Sequence, residues 1–509
     1  MKKNTRYILI TLIVVLVLGG AITALLLTQP AAESEETSST SSTSSTQTIA
    51  LIPGEGKEIK PEDVDSIVVE NADGGYSMTG KTETVSSSSE ESSEEEESTQ
   101  TTFYIDGVEA SLQNTSSIQT AAEYGYSLSA SKNVGKADDL KLTDFGLDKP
   151  AATITTTLKD GTVYTYSVGN KGPISGYYIL YNDEVYVATV SDSVFKTHLD
   201  FVNTTVLSIT PPENTDESSS SETATNKFTQ FVFTGTNFPQ EVKIVPHTDS
   251  LVSSYKLTSP YEVSANNTPM DAITSGVASL AASSVAAVDP TEEQLVEYGL
   301  DNPTVRMKFA VNGNSYTLIA GKQDGDNRYV MLDGVDVVYV FANSIVTDWA
   351  DATLFTLRDS FVWLQNITDV NKLTVKTPEK TDTFTITRTE NEESSTEDKV
   401  AYDYTVKGTG GKDITYQDIF TGYYQTIIGI QLLDEAPETS TIPDDDPALS
   451  ITYEYYDGRT PYVVDFYSIG NRRCLAVAQG QIVGVVSETV VQTVIDNTEI
   501  VLQNKDVDE

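Results

Sequence analysis

The sequence predicts an α+β fold of three repeated units, each made of antiparallel β-hairpins with one or two helices, after an N-terminal transmembrane helix. Two observations lead to this prediction. One order of strands, hairpin turns and a capped helix occurs three times along the 509 residues, and each occurrence has the size of an ordinary domain. In addition, a basic start is followed by an uncharged apolar run, which is typical of a membrane anchor.

The N-terminal segment is expected to span a membrane once. Basic residues within the first six positions precede an uncharged apolar run at 7–27. A helix of that length rises about 31 Å, enough to cross the hydrocarbon core of a bilayer. Because basic flanks stay in the cytoplasm, the bulk of the chain is expected on the extracytoplasmic side. The alternative is a signal peptide cleaved near residues 19–21, although the apolar run continues past that point.

Polar tracts rich in Ser, Thr and Glu divide the rest of the chain. Such tracts cannot bury enough apolar surface to offset their chain entropy, so we expect linkers or loops there. Residues 1–28 are predicted to be a cytoplasmic tip and transmembrane anchor, 29–60 a disordered linker, 61–210 the first unit with a disordered acidic insert at 83–102, 211–226 a linker, 227–357 the second unit, and 358–503 a degenerate third unit with a loop insert at 389–398.

The repeat is clearest around two copies of a short motif. Gly-Leu-Asp-x-Pro occurs at 146–150 and again at 299–303. Each copy leads into two runs with period-two alternation, joined by Asp160-Gly161 or Asn312-Gly313. Asp-Gly and Asn-Gly favour the type I′ turns of β-hairpins, so these runs are predicted to pair as strands.

A third copy keeps the strands and loses the motif. It lies at 445–471 and retains an Asp-Gly turn at 457–458, but it has no Gly-Leu-Asp. Each copy then continues with a second hairpin and a helix, whose expected N-caps are Ser191, Asn343 and Ser487. Further helices are expected before the hairpins, at 116–128, 271–288 and 415–433.

The motif itself has the pattern of a helix end. In the second copy, Asp289 and Pro290 are the expected N-cap and first residue of a helix, and Gly299 suits a left-handed position after its end. Leu300 would close a Schellman-type cap, and Pro303 would direct the chain into a strand.

The two aspartates of the motif are the candidate site residues. Asp148 and Asp301 are either caps of a turn or ligands of a carboxylate site present in both copies. No catalytic residue, metal ligand or cofactor is predicted. The chain has only two histidines, His198 and His247, so a zinc centre or a Ser-His-Asp triad would depend on a single histidine.

Composition limits the possible partners. The formal net charge is −43, from 32 basic and 75 acidic residues. Nucleic acid is excluded as a partner, because phosphate binding needs a basic surface. The chain has 1 cysteine, Cys474, so it has no intramolecular disulfide and no Cys-type zinc site.

Tyrosine is plentiful, at 27 residues, and two interpretations of it stay open. Exposed rings on a sheet can bind carbohydrate or peptide, whereas tyrosine in strands more often covers a half-buried sheet. The clusters concerned are Tyr177-Tyr178, Tyr423-Tyr424, and Tyr453 with Tyr455 and Tyr456.

The first two units resemble a known bacterial family. The segments LTDFGLDKPAATITTTLKDGTVYTYSVGN and LVEYGLDNPTVRMKFAVNGNSYTLIAGK, with the hairpins YYILYNDEVYVA and RYVMLDGVDVVYVF, are similar to the family known only as domain of unknown function 4340. The resemblance implies a membrane anchor, an extracytoplasmic repeat region and, for some members, an accessory role beside an ABC transporter of the gliding-motility type. It implies no catalytic or binding residues, and it covers the third unit only through its strands.

The predicted function is therefore a non-enzymatic, membrane-tethered, extracytoplasmic repeat protein. We expect it to be an accessory or binding module of an envelope or ABC-transporter-linked assembly. Its predicted location is the cell membrane, which it would cross once, with an envelope protein or ABC transporter as partner. The alternatives are an envelope hydrolase with a carboxylate pair, and a cell-surface spacer or adhesin.

Overall fold

The computed structural model describes residues 48–87, 96–212, 225–248, 253–395, 400–437 and 439–507. Within these ranges the chain is α+β, with three large antiparallel sheets and seven α-helices. This part of the predicted fold class is confirmed. None of the described helices is both long and apolar enough to cross a membrane, and the predicted span at 7–27 lies outside the described residues.

The first sheet contains nine strands and is covered by one helix. Helix α1 (Thr115–Tyr126) buries Ile118, Ala122 and Tyr126 against the sheet. The strands are β1 (Ile49–Ile52), β2 (Val64–Asn71), β3 (Tyr76–Ser87), β4 (Glu96–Ile105), β5 (Leu128–Lys136), β6 (Ala152–Leu158), β7 (Val163–Lys171), β8 (Tyr177–Tyr181) and β9 (Glu184–Ala188). Their order across the sheet is β1-β5-β9-β8-β7-β6-β2-β3-β4.

The second sheet also has nine strands, with a two-stranded sheet at its border with the first. The elements are β10 (Thr205–Ser208), β11 (Phe228–Gly235), β12 (Phe238–Pro246), β13 (Tyr255–Ser259), β14 (Val263–Ser264), α2 (Asn267–Ala278), β15 (Ser279–Ala281), β16 (Ser284–Val288), α3 (Glu292–Glu297), β17 (Val305–Val311), β18 (Asn314–Asp324), β19 (Asn327–Leu332), β20 (Val337–Ala342), α4 (Asn343–Ala350) and α5 (Leu354–Leu357). The large sheet has the order β14-β13-β12-β11-β17-β18-β19-β20-β16, and β10 pairs with β15.

The third sheet has eight strands. The elements are β21 (Val370–Lys376), β22 (Thr381–Glu390), β23 (Tyr402–Gly408), β24 (Lys412–Ile414), α6 (Thr421–Ile428), β25 (Leu449–Tyr455), β26 (Tyr462–Gly470), β27 (Arg473–Ala478), β28 (Gln481–Ser487) and α7 (Glu488–Val501). Their order is β24-β23-β22-β21-β25-β26-β27-β28. Ser487 caps α7 as predicted, because its side chain accepts a hydrogen bond from the Thr489 amide at 3.2 Å.

The three large sheets have two large hydrophobic cores between them, and not one core each. Buried residues of the first and second sheets form one continuous cluster, which joins Ile154 to Phe231. The third sheet and its helices have a separate cluster, which contains Tyr453 and Phe466. The first two sheets are therefore expected to behave as one stable body and the third as another.

Gly-Leu-Asp-x-Pro ends a helical turn in both copies. Gly299 follows α3 with a φ of +67°, and Gly146 follows the 3₁₀ turn Leu142–Phe145 with a φ of +69°. The Leu300 amide donates to the Leu295 carbonyl at 2.8 Å, and the Leu147 amide donates to the Leu142 carbonyl at 3.0 Å. These are the hydrogen bonds of a Schellman cap, as predicted.

The leucine of the motif packs onto a glycine of the adjoining strand. A Cβ on Gly321 would lie 2.3 Å from the Tyr298 carbonyl oxygen and 3.1 Å from Leu300 Cγ. On Gly169 of the first sheet, it would lie 2.3 Å from the Phe145 carbonyl oxygen. Only glycine allows so close an approach. In the third sheet, where the motif is missing, a Cβ on Gly470 would meet nothing within 4 Å.

Several predicted elements differ from the structure. The helix expected at 271–288 ends at Ala278, and the rest forms β15 and β16 because its backbone pairs with β10 and β20. Helix α3 is capped by Thr291 and not by Asp289, since Thr291 and Gln294 form a capping box. Asn343 does not cap α4: its side-chain oxygen instead accepts from Arg328 Nε at 2.9 Å.

Two segments predicted to be disordered contain strands. Residues 49–52, within the expected linker, form β1 and pair with β5. Strands β3 and β4 extend into the expected acidic insert and pair as far as Ser87 and Glu96. Strand β1 buries Leu51 and Ile52 in the core, which the polar composition of the surrounding linker did not indicate. The order of β3 and β4 within the acidic insert comes from backbone hydrogen bonds between the two strands.

Replacing Gly321 by alanine tests the packing of the motif. We expect Gly321→Ala to lower the free energy of unfolding by about 1–3 kcal/mol, because the new methyl group would overlap the Tyr298 carbonyl. The matched control is Gly276→Ala in α2, where a Cβ meets nothing within 4 Å. The control should be neutral or stabilising by up to about 1 kcal/mol. Equal effects of the two changes in chemical denaturation would contradict this account.

Candidate binding site at the junction of the second and third sheets

The two predicted site aspartates lie apart, on different sheets. Asp148 precedes β6 and Asp301 precedes β17, and both side chains are exposed. Neither carboxylate has a hydrogen bond or ion pair with a described residue. Within the described ranges, no group of three or more His, Cys, Asp or Glu side chains is arranged to hold a metal ion. The motif thus contributes one exposed carboxylate to each of two sheets, and its role as a site stays a prediction.

Most of the tyrosines singled out from the sequence belong to the core. Tyr423, Tyr424, Tyr453 and Tyr455 are buried. The Tyr453 hydroxyl accepts a hydrogen bond from Trp363 Nε1 at 2.7 Å. Burial raises the pKa of these hydroxyls, and that of Tyr455 reaches about 12 although Arg459 opposes the rise. Tyr453 and Tyr455 lie in β25 and face the core, as the interpretation of strand tyrosines predicts, whereas Tyr423 and Tyr424 lie in helix α6 and are buried against the same core.

The junction between the second and third sheets is built around Arg358, whose side chain is 1% exposed. Its Nε donates to the Asp359 carbonyl at 2.9 Å, and its Nη2 donates to the Phe361 carbonyl at 2.6 Å. Its Nη1 donates to the Tyr261 hydroxyl at 3.1 Å and to the Val483 carbonyl at 3.2 Å. Tyr261 lies between β13 and β14 of the second sheet, and Val483 lies in β28 of the third. One guanidinium therefore connects the two sheets.

The backbone around Arg358 is hydrogen-bonded to both sides. The Asp359 amide donates to the Ser264 carbonyl at 2.8 Å, on the second sheet. The Val362 amide donates to the Ile430 carbonyl at 3.0 Å, next to α6 of the third. The segment at 358–362, which follows α5, is thus a short connection hydrogen-bonded to both sheets, and the orientation of Arg358 is fixed from both ends.

Two clefts flank this arginine. The smaller, which we call the Trp363 cleft, has a volume of about 400 Å³. The larger, which we call the Pro437 cleft, has a volume of about 780 Å³. The Trp363 cleft is lined mainly by His247, Lys256, Glu262, Ser264, Asp359, Trp363, Gln365, Tyr462 and Gln479. The Pro437 cleft is lined mainly by Phe238, Pro239, Pro260, Phe355, Glu435, Pro437, Ile442 and residues 480–484.

The charged groups of the Trp363 cleft are engaged within the protein. Lys256 Nζ and Glu262 Oε1 form an ion pair at 2.6 Å. The Asp359 carboxylate accepts from the Phe361 amide at 3.0 Å. The imidazole of His247 differs from these groups, because its buried Nδ1 has no hydrogen-bond partner among the described residues.

The neutral groups of this cleft combine aromatic rings with hydrogen-bonding side chains. Burial raises the pKa of the Tyr462 hydroxyl, against the effect of Arg358, so that hydroxyl is neutral and able to donate at ordinary pH. Gln365, Gln479 and Trp363 complete a wall that is part aromatic and part polar. Gln365 Oε1 accepts from the Tyr455 hydroxyl at 2.7 Å, Gln479 Oε1 accepts from the Val463 amide at 2.7 Å, and Trp363 Nε1 donates to Tyr453, so only part of the hydrogen-bonding capacity of this wall is left for a ligand. Such a lining can orient a ligand by hydrogen bonds.

Sequence reasoning placed a unit boundary at residue 358 and assigned Arg358 no role. The local signal is weak: one arginine interrupts an otherwise largely apolar stretch at 354–364. Its partners Tyr261 and Val483 are about a hundred residues away on either side. No site was predicted for His247, and its position in a cleft likewise follows only from the tertiary structure.

Comparison with known proteins gives one match. The family model described as "Domain of unknown function (DUF4340)" matches residues 114–227 and 256–413. These ranges contain most of the first two sheets, the Arg358 segment and the beginning of the third sheet. Neither a curated protein nor a solved structure matches the chain.

Replacing Arg358 by methionine tests the junction. The change leaves buried carbonyl groups without donors, so we expect the third sheet to lose about 2–4 kcal/mol relative to the first two. Calorimetry should show an early transition for the third sheet, separate from that of the shared core. The matched control is Arg459→Met, because the Arg459 side chain is 47% exposed; its cost should stay below about 1 kcal/mol. An unchanged melting profile for Arg358→Met would show that the guanidinium does not hold the junction.

Proposed function

The chain belongs to the DUF4340 family, and from that premise we propose that it is a non-enzymatic, membrane-tethered, extracytoplasmic protein. It acts as an accessory or binding module of an envelope or ABC-transporter-linked assembly. The observation that carries the proposal is the pair of clefts on either side of Arg358, whose lining offers neutral hydrogen-bonding and apolar groups. Partners that bind there can act on the relative position of the two bodies.

We further propose that the three sheets are copies of one unit. In each, a four-stranded meander (β6 to β9, β17 to β20, or β25 to β28) follows an N-terminal meander. The first strands of the two meanders pair antiparallel in every case, as β2 with β6, β11 with β17, and β21 with β25. A helix lies between the meanders, namely α1, α2 or α6. This shared order is the support for a repeated origin.

A binding role accounts for the Trp363 cleft better than hydrolysis does. A carboxylate pair for glycoside hydrolysis needs one acid and one base that are both free to meet substrate. The carboxylates of this cleft are Glu262 and Asp359, and each already has a partner in the protein. The net charge of −43 also favours a partner that is not polyanionic.

The location is tested by labelling a single introduced cysteine. Cys474 is fully buried, and burial raises its thiol pKa to about 11, so the native chain should react slowly with maleimides. Lys149→Cys adds an exposed thiol in the first sheet. We expect a membrane-impermeant maleimide to label this variant in intact cells and to leave the unsubstituted chain unlabelled. Labelling only after the cells are permeabilised would contradict the extracytoplasmic location.

The accessory role is tested by recovery of a partner. The full chain, tagged and briefly cross-linked in gently solubilised membranes, is expected to retain a specific envelope or transporter protein. Arg358→Met should reduce that recovery because it loosens the junction. Asp148→Asn combined with Asp301→Asn is the matched control and should retain the partner, since neither side chain contacts a described residue. Recovery of the chain without any partner would favour the spacer or adhesin alternative. Loss of the partner from the double aspartate variant would assign the binding site to the Gly-Leu-Asp-x-Pro motif.

A further inference from the structure

The outer edge of the third sheet differs from the corresponding edges of the other two. In the first sheet, β5 pairs along β9 from Ala130 to Lys136. In the second, β16 pairs along β20 from Ser284 to Val288. In the third, β28 is the last strand of the sheet. Among the described residues its outer side has one isolated antiparallel bridge, which joins Asp434 to Val485.

The positions of these pairings correspond. In the second sheet, Val340 pairs with Ser284 and lies shortly before the first residue of α4. In the third sheet, Val485 forms the bridge to Asp434, and it lies the same number of residues before the first residue of α7. In the second sheet the pairing then continues along β20 to Val337. The equivalent path in the third sheet runs along β28 past residues 481–483.

The chain does not follow that path after Asp434. Ala436 packs instead on the outer face of the sheet, against a small cluster that contains Leu475 and Val477. Pro437 has no amide hydrogen and therefore cannot donate a hydrogen bond to β28. The Pro437 cleft opens where the missing strand would lie, between residues 435–437 on one side and 480–484 on the other.

The lining of the Pro437 cleft indicates the chemistry of an occupant. Its charged side chains are Arg358, whose donors are already used, and Glu435, which accepts from the Phe355 amide at 3.3 Å. The other walls are largely apolar or amide-bearing and include Pro239, Pro260 and Ile442. Strand addition supplies affinity through the backbone and specificity through alternate side chains. The occupant should therefore be extended and uncharged.

We propose that β28 binds an extended, uncharged segment of a partner polypeptide, which pairs antiparallel along Gln481 and Ile482, next to the bulge at Val483, and takes the place that β5 and β16 hold in the other sheets. The inference rests on the proposed binding function and names its partner class. The Val483 carbonyl is bonded to Arg358, so the bound strand also lies against the junction. Occupancy of this edge is thereby coupled to the contact that joins the second and third sheets.

The test uses the full chain and a defined probe. The probe is a labelled octapeptide of alternating threonine and valine with both ends blocked, and the control probe is the same peptide with alternate backbone nitrogens methylated. We expect the first peptide to bind, to slow amide exchange at 481–483, and to bind at least tenfold more tightly than the methylated peptide. Equal binding of the two peptides, or no binding of the first, would overturn strand addition.

A pair of variants locates the site. Ile442→Arg places a long charged side chain in the Pro437 cleft, whereas Ile469→Arg changes a similarly exposed isoleucine outside it; their exposures are 38% and 43%. We expect Ile442→Arg to reduce peptide binding at least tenfold and Ile469→Arg to leave it unchanged. Equal effects of the two variants would overturn the assignment of the site. If the Ile442→Arg variant still recovers the partner, strand addition is rejected but the proposed function is not. If the peptide binds but no partner is recovered with the full chain, that result counts against the proposed function alone.

Discussion

The buried guanidinium of Arg358 is the interaction on which the arrangement of the third sheet depends. Its acceptors are four carbonyl oxygens and one hydroxyl, from both sides of the junction. A buried charge without a carboxylate partner is costly unless its donors are satisfied. The planar fork of arginine can satisfy several carbonyls at once, which lysine cannot do in the same geometry. The backbone around it therefore has to adopt one arrangement.

The separate hydrophobic cores explain why a single contact has a large effect on the position of the third sheet relative to the second. The first and second sheets share a continuous apolar cluster, so their relative position is set by many residues at once. The third sheet has a separate cluster, against which Phe355 of α5 packs, and it meets the second sheet through this contact and the polar contacts of Arg358, with a cleft on each side. Movement at a junction of this kind exposes little apolar surface and therefore costs little free energy. It is the place in the described chain where a bound partner can most readily change the relation of two bodies.

Local features were predicted well from the sequence. The turns at Asp160-Gly161 and Asn312-Gly313 both lie between paired strands, as predicted. Asn312 and Gly313 both have a positive φ, as a type I′ turn requires, whereas at Asp160-Gly161 only the glycine does, so the type I′ expectation is wrong there. Gly146 and Gly299 end helical turns because glycine readily adopts the positive φ that this position requires. The prediction for 271–288 failed past Ala278, where an alanine- and serine-rich segment compatible with a helix is used as two strands. There, pairing with distant strands outweighed local propensity.

The candidate site was not predictable from local patterns. Arg358 has its role only because Tyr261 and Val483 meet it from opposite directions. The open edge of β28 is visible only when the three sheets are compared in space. Asp148 and Asp301 stood out in the sequence because the motif that contains them occurs twice. The motif is repeated because its glycine caps a helical turn and its leucine packs against the adjoining strand. Signals that depend on long-range contacts leave little trace in a single sequence.

Native-state hydrogen exchange on the unsubstituted chain tests the central claim most directly, namely that two bodies meet at Arg358. The account predicts two cooperative exchange classes. Amides of the first and second sheets, from β2 to β20, should share the slower class, and amides of β21 to β28 should open together in a faster one. The amides at 357–362 should exchange with the third sheet. A single class that covers all three sheets would contradict the account.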